Sequence, residues 1–384
     1  MVSRERLINA LQGKPIDRIP VYSQIPFALT AEGFKPGAFH GYDDYDNWRE
    51  RDPAYWNLVR RMQAECDNFF VWRPPCMHSD HFFVPRGMTT TLPTEDRDGK
   101  LVTVKVLRTA GRELRTASMV QPGTGHTWVL EHFCKKPDDA EFLLDLPWDG
   151  YPAEMGDFFQ VREWLGDHGV VWVTVPSPIL IVCRLFDPTE FLILIRTEKA
   201  LIHRLLETAS DRIRINLGIL LKSGAGPIVR FGGAEHATPP IMSPDDFDAL
   251  VVQYDTPLMR LVKQYGGLVA VHCHGRIRHA LTRFVEMGVD QTDPVEALPD
   301  GDLTLAEARR IHAGKITLTG NLQMRELAAA RPSEIRLRVR QIVEEAGPDH
   351  LILTTTGTPL EPISAPIEAN YHAFIDAALE YGKL

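Results

Sequence analysis

The sequence has few cysteines, and their spacing does not indicate disulfide pairs. Five cysteines are scattered over 384 residues, and none of them forms a CxxC motif with another. This pattern predicts neither a disulfide framework nor a structural zinc knuckle. It is typical of a protein from a reducing cytoplasm, where we expect this chain to work.

An excess of positive charge is also missing. The chain has 42 Lys and Arg residues against 51 Asp and Glu residues, which gives a formal net charge of −9. Nucleic acids and anionic membranes attract surfaces with surplus positive charge, so we expect neither as a partner. A small molecule or another protein is the expected partner.

No apolar run is long enough to cross a membrane. The most apolar stretch, residues 170–194, is interrupted by prolines and by Arg184, Asp187 and Glu190. Such a stretch does not span a bilayer. The N-terminal segment MVSRERLINALQGK is charged and amphipathic, which is not typical of a signal peptide.

After residue 165, short apolar runs alternate with amphipathic helical segments. Buried strands separated by helices are typical of a parallel sheet that is covered on both faces. Two earlier apolar runs bring the number of expected strands to eight, which closes a (β/α)8 TIM barrel. A doubly wound open sheet is the alternative, but no Gly-rich phosphate turn follows any strand. The predicted strands are 19–23, 66–73, 170–175, 227–232, 268–273, 289–293, 316–320 and 351–355, and the later helical segments are 188–221, 244–265, 276–287, 303–312, 333–346 and 366–381.

Residues 76–135 have a different pattern. Polar and β-branched residues alternate around turn signals at Asp98-Gly99 and Ala110-Gly111. This alternation predicts antiparallel β-hairpins with one exposed face. We therefore expect one barrel domain over residues 1–384, with an inserted hairpin region at about 76–135 packed over one end.

Ligand-type residues follow several of the predicted strands. In a barrel, the carboxyl ends of the strands build the active site. Residues i and i+2 of a strand point to the same side, so we expect His272 and His274 to face one cavity while Cys273 points away. Two imidazoles beside a carboxylate suit a zinc ion, and Glu235 is the expected third ligand. Other polar residues at strand ends are Asp293, Glu296, Asn321 and Thr356.

Each of these residues also has a purely structural interpretation. One histidine can cap its strand while the other hydrogen-bonds to a backbone carbonyl. Asp293 and Glu296 can pair with Arg276 or Arg278, and Asn321 can hold a turn.

Six segments in fixed order resemble the uroporphyrinogen decarboxylase superfamily, which also contains the cobalamin-dependent methyltransferases. The resemblance covers nearly the whole chain outside residues 76–135 and implies a (β/α)8 barrel. The segments are RERLINALQGKPIDRIPV, FGGAEHATPPIMSPDDF, VHCHGR, GVDQTDPVE, GDLTLAEARRIHAGKITLTGN and ILTTTGTPLEP with APIEANYHAF.

The chain departs from both well-known branches of that superfamily. True uroporphyrinogen decarboxylases carry an Arg-rich loop after the first strand, whereas residues 22–27 here contain no arginine. Without those cations we do not expect a substrate with many carboxylates. The corrinoid methyltransferases carry a His-x-Cys zinc site and a late cysteine, whereas His274 takes the cysteine position here and residues 354–358 lack cysteine.

The resemblance implies a methyltransferase or demethylase that moves a methyl group from a small O-methyl substrate to a corrinoid on a partner protein. Zinc on His272, His274 and Glu235 would polarise the leaving oxygen, and Asp293 or Glu296 would supply a proton or orient a histidine. Two other hypotheses are open: a metal-free decarboxylase or lyase with Arg230 and Arg276 on a substrate carboxylate, and a barrel that only binds or assembles. A homodimer is also implied. The expected substrate-binding residues are Tyr22, Arg276, Asn321 and Thr356.

Overall fold

The computed structural model describes residues 1–36, 48–109, 111–121 and 126–384. Its strands are β1 (Val21–Tyr22), β2 (Phe27–Thr30), β3 (Gly33–Pro36), β4 (Asn68–Trp72), β5 (Thr89–Thr91), β6 (Glu95–Arg97), β7 (Lys100–Thr109), β8 (Arg112–Gln121), β9 (His126–Glu131), β10 (Gly169–Pro176), β11 (Ile228–Gly232), β12 (Leu268–His272), β13 (Gln291–Asp293), β14 (Thr317–Leu322) and β15 (Leu351–Thr355).

The α-helices cover the outside of the central sheet. A π-helical segment, Asp248–Val252, joins α9 to α10. Among the helices that the structure describes, none is long and apolar enough to span a membrane. The helices are α1 (Ser3–Leu11), α2 (Trp48–Arg51), α3 (Pro53–Glu65), α4 (Pro137–Leu144), α5 (Phe158–Leu165), α6 (Pro178–Cys183), α7 (Pro188–Thr197), α8 (Lys199–Lys222), α9 (Pro244–Phe247), α10 (Gln253–Gln264), α11 (Arg278–Met287), α12 (Leu305–His312), α13 (Met324–Ala329), α14 (Pro332–Ala346) and α15 (Ala365–Tyr381).

Eight parallel strands form the central sheet in the order β1-β15-β14-β13-β12-β11-β10-β4. The six strands expected after residue 165 are β10 to β15, with bounds within two residues of those predicted. Their Val, Ile and Leu side chains are buried because helices cover the sheet. The predicted (β/α)8 barrel is therefore confirmed, and the doubly wound alternative is wrong.

Asp67 joins the two edges of this sheet. Its backbone N–H donates to the Val21 carbonyl at 2.7 Å, and its side chain accepts from the Val21 N–H at 3.0 Å. The Asp67 carboxylate is fully buried and pairs with Arg6 and Arg18, at 2.6 and 2.7 Å. One buried carboxylate thus holds β1 beside the start of β4 and pairs with two guanidinium groups, of which Arg6 also pairs with Asp17 at 2.6 Å.

Replacing Asp67 with Asn is expected to lower the free energy of unfolding by about 3 kcal/mol, because Arg18 loses its counter-charge and Arg6 keeps only the more exposed Asp17. Urea unfolding at neutral pH measures this change. Asp211→Asn is the matched control, since Asp211 pairs with Arg214 on the surface and both side chains are more than half exposed. Equal small losses for both variants would contradict this role of Asp67.

Apolar side chains fill the inside of the barrel below its carboxyl-end opening. Leu7 and Leu11 of α1 belong to the same buried cluster. The Thr317 hydroxyl at the start of β14 donates to the Ala10 carbonyl at 2.8 Å, so α1 covers the end where the strands begin. The strand residues in this cluster are Tyr22, Phe69, Val170, Trp172, Ile228, Leu268, Ala270 and Ile352.

The predicted hairpins form a separate antiparallel sheet, in the order β5-β7-β8-β9, with β6 paired to β7. Asp98 and Gly99 both have positive φ, 55° and 77°, and connect β6 to β7 as a two-residue turn. Ala110, in the second expected turn, lies outside the described residues. The inserted hairpins are confirmed, whereas a single domain over residues 1–384 with an insertion at 76–135 stays our proposal.

Candidate active site

A cavity of about 1040 Å³ opens at the carboxyl ends of the barrel strands. We call it the upper cavity. Six of the residues expected at a site line it: Tyr22, Arg230, Glu235, His272, His274 and Thr356. Cys273, between the two histidines, is fully buried and does not line it, as the alternation of a strand requires.

Arg230, Asp293 and His272 form a buried cluster at the base of the upper cavity. The Arg230 guanidinium donates to both carboxylate oxygens of Asp293, at 3.0 and 2.6 Å. His272 Nδ1 lies 2.6 Å from Arg230 Nη2 and 2.9 Å from an Asp293 oxygen. The strands bring these residues together because His272 is paired in register with Gly232 on one side and with Asp293 on the other.

The charges of this cluster determine the state of His272. Burial opposes the charge of Asp293, but the Arg230 guanidinium outweighs it and holds the pKa of that carboxyl well below its usual range. Burial, and then the Arg230 charge, lower the pKa of His272, so its ring is neutral near neutral pH.

One ring nitrogen cannot both accept from Arg230 and donate to Asp293. A guanidinium only donates hydrogen bonds, and an ionised carboxylate only accepts them. The shorter contact of His272 Nδ1 is the one to Arg230, so we assign Nδ1 as the acceptor. His272 then carries its proton on Nε2.

His274 and Glu296 form a second pair, in which the pKa of the histidine is raised instead of lowered. His274 Nδ1 lies 3.1 Å from a Glu296 oxygen, and the other oxygen accepts the Gly275 N–H at 2.7 Å. Burial disfavours the His274 imidazolium, but the hydrogen bond and charge of Glu296 outweigh it and raise the pKa of His274. The two rings are in edge contact, with centroids 4.6 Å apart. One cavity thus contains a neutral histidine next to a histidine that holds its proton more tightly.

Aromatic side chains form the floor of the upper cavity. Phe69 and Trp172 are stacked with centroids 3.9 Å apart, and Tyr22 meets both rings edge-on. The Arg230 guanidinium lies over Trp172, 4.7 Å from the ring centroid. Phe69 and Trp172 are each 1% exposed and Tyr22 is 6% exposed, so this floor offers a ligand a small apolar contact area.

The structure does not fit the expected zinc site. Among the described residues, no three His, Cys, Asp or Glu side chains lie together as a metal-ligand group. The Glu235 carboxylate instead accepts the Gly233 N–H at 3.1 Å. Zinc binds the lone pair of a neutral imidazole, whereas His272 carries its proton on Nε2 and Glu296 favours the charged form of His274. The zinc ligands stay a prediction, and we derive no step through a metal.

Two of the expected substrate-binding residues lie away from the upper cavity. Asn321 is buried in β14, and its side-chain oxygen accepts a hydrogen bond from Arg338 at 3.3 Å. Arg276 is exposed, beyond the end of β12. Neither lines the cavity. Thr356 lines it and donates to the Gln323 side chain at 3.1 Å.

The hairpin sheet forms one wall of the upper cavity with short hydroxyl side chains. Lys105 of this wall pairs with Asp80 at 3.1 Å. The alternation of Thr and Ser along β7 and β8 is the sequence signal for this wall, where no site residue was predicted. The hydroxyl residues of the wall are Thr103, Thr116, Ser118 and Thr127.

A family model described as Uroporphyrinogen decarboxylase (URO-D) matches residues 159–381, which is more than half of the chain. A solved methyltransferase from Methanosarcina mazei is 16% identical, with 99% of each chain covered and a TM-score of 0.60. This likeness concerns the fold. A B12-independent methionine synthase from a Shewanella species is 14% identical over 74% of this chain and 75% of that chain, and its TM-score of 0.42 is too low to carry an argument. No curated protein matches the sequence.

Proposed function

We propose that this chain, which belongs to the uroporphyrinogen decarboxylase family, is an enzyme. It takes a methyl group from a small O-methyl compound. The acceptor is a corrinoid on a partner protein. The proposal rests on one observation: two histidines, each in contact with a carboxylate and with opposite pKa shifts, line a single cavity with an aromatic floor. A homodimer and a cytoplasmic location stay predictions.

His274 has the right state for a general acid. Its Nδ1–H is held by Glu296, so the imidazolium can release the proton on Nε2 to a group in the cavity. As the carbon–oxygen bond of the substrate breaks, the electron pair stays on oxygen and the methyl group leaves to the acceptor. The His274 proton then neutralises that oxygen, and the product is an alcohol or a phenol.

His272 supports this transfer without releasing a proton. Its Nε2–H is a hydrogen-bond donor that can hold the same substrate oxygen, because Arg230 occupies Nδ1. Asp293 keeps Arg230 in place. His272 therefore orients the leaving oxygen while His274 protonates it.

The apolar floor favours a substrate with an apolar part, such as a methoxylated aromatic compound. Tyr22, Phe69 and Trp172 offer apolar contact next to the two histidines. Glu235 and Thr356 lie on the wall and can accept or donate hydrogen bonds to other substituents. The corrinoid, when its carrier protein is bound, supplies a strong cobalt nucleophile for the methyl group.

The test is an anaerobic reaction of the purified protein with a panel of methoxylated benzoates and phenols and with chemically reduced cobalamin. We expect formation of methylcobalamin and of the demethylated product, followed by absorbance and mass spectrometry. His274→Gln should abolish this reaction. His203→Gln should leave it unchanged, since His203 lies on α8, where its ring contacts the Tyr254 hydroxyl, and does not line the upper cavity. Substrate binding without any demethylation would count against the proposal.

One observation favours a second candidate, a decarboxylase or lyase acting on a carboxylated compound. The Arg184 guanidinium lines the upper cavity, and no carboxylate of the described chain lies within ion-pair distance of it. Arg184 therefore replaces Arg230 and Arg276 as the expected carboxylate anchor, because Arg230 is paired with Asp293. Release of carbon dioxide from the same benzoates, with a raised KM in Arg184→Gln, would favour this candidate.

A further inference from the structure

A second cavity, of about 720 Å³, lies at the opposite end of the barrel, where the strands begin. We call it the lower cavity. It is bordered by the loop after α1, the loop after α12 and the residues before β15, and it shares no lining residue with the upper cavity. Its lining includes Lys14, Arg309, His312, Asp349 and His350.

Two cations of the lower cavity are not neutralised. Lys14 Nζ and the Arg309 guanidinium form no hydrogen bond or ion pair with the described residues, and both residues are exposed to solvent. The Arg309 guanidinium packs against the backbone at Gly347, so closely that a Cβ on this glycine would lie 2.2 Å from Nη1. The guanidinium thus rests at a glycine, with Asp349 as the one carboxylate side chain in the lining.

Two histidines add neutral donors. His312 is 2% exposed, and its Nδ1 accepts the Gly314 N–H at 3.1 Å, so its proton is on Nε2. Burial lowers the pKa of His312 to about 4 and also lowers the pKa of His350. Nδ1 of His350 is buried without a hydrogen-bond partner in the described chain. Both rings therefore offer hydrogen bonds without charge near neutral pH.

The backbone around the lower cavity is strained at His350. Ala313, with φ of 47°, is the left-handed C-cap that ends α12, whereas His350, with φ of 58°, has this unfavourable conformation outside any helix end. Gly13 has φ of 63°, and a Cβ there would lie 2.9 Å from His350 Cε1. Strained residues of this kind concentrate where a ligand is bound, because the surrounding structure must hold them in place.

We infer that the lower cavity binds a small organic phosphate, with Lys14 and Arg309 on the phosphate group and His312 and His350 as further donors. Lys14 and Arg309 outnumber the one carboxylate side chain of the lining, so the cavity attracts an anion, and a guanidinium pairs with phosphate oxygens in bidentate geometry. The volume exceeds what a phosphate alone needs. Asp349 then accepts hydrogen bonds from hydroxyl groups of the organic part. This site is independent of the reaction in the upper cavity.

The test is calorimetric titration of the whole protein with inorganic phosphate, glycerol 3-phosphate and glycerol. We expect glycerol 3-phosphate to bind at least as tightly as phosphate, and glycerol not to bind. Arg309→Gln should weaken phosphate binding roughly tenfold or more, because a charge-assisted pair is lost. Arg310→Gln is the matched control, since Arg310 is the next residue of α12 and is exposed outside the cavity.

Circular dichroism of both variants checks that they are folded. Equal affinities for Arg309→Gln and Arg310→Gln would overturn the inference, since binding would then come from general surface charge. Failure of phosphate and glycerol 3-phosphate to bind the wild-type protein would overturn it as well.

Discussion

Replacing Asp293 with Asn is expected to lower turnover in the upper cavity roughly a hundredfold or more and to destabilise the fold. Asp293 is fully buried and holds Arg230, whose other contact determines the proton position of His272. An amide cannot balance the guanidinium, so Arg230 loses its counter-charge and its fixed place. We expect a loss of about 3 kcal/mol in the free energy of unfolding.

Asp139→Asn is the control that distinguishes a loss of turnover from a loss of stability. Asp139 is also nearly buried and pairs with an arginine, Arg112, at 2.6 Å, but it does not line the upper cavity. We expect a similar loss in urea unfolding with turnover retained. If Asp293→Asn and Asp139→Asn reduce turnover to the same extent, the effect is one of stability, and the assigned role of Asp293 is wrong.

Replacing Glu296 with Gln is expected to move the alkaline limit of activity to lower pH. The protonated form of His274 is the active one, so activity is full at low pH and is lost as the pH rises through the pKa of His274. Glu296 raises that pKa. Without its charge the pKa falls, and we expect the alkaline limb to move down by roughly one pH unit.

The measurement is a profile of kcat against pH for the wild type, Glu296→Gln and Glu344→Gln. Glu344 pairs with Arg340 on α14, and both side chains are mostly exposed, so Glu344→Gln should follow the wild type. An alkaline limb that stays in place in Glu296→Gln would exclude His274 as the general acid. A profile that rises with pH would point to a general base instead.

Much of the barrel could be predicted from sequence because its strands are short apolar runs between amphipathic helices. That pattern follows from a sheet buried on both faces. The helical stretch 188–221 was predicted as one segment, but it divides into α7 and α8 at Glu198, which has a non-helical φ of −125° and ψ of 46°. No glycine or proline marks this break.

The partners of the site residues could not be predicted from spacing. Asp293 and Glu296 were expected either to act in catalysis or to pair with Arg276 or Arg278. Arg278 instead pairs with Glu307, while Asp293 meets Arg230. That contact depends on the register of β11, β12 and β13, which places residues 63 positions apart side by side.

Nitrogen NMR of the protein labelled in its histidine rings tests the central claim most directly. We predict that His272 stays neutral near neutral pH with its proton on Nε2, and that the pKa of His274 is raised above the ordinary histidine value. His272→Gln and His274→Gln assign the two signals. Two rings that titrate together at the ordinary histidine pKa, or His272 with its proton on Nδ1, would contradict the account.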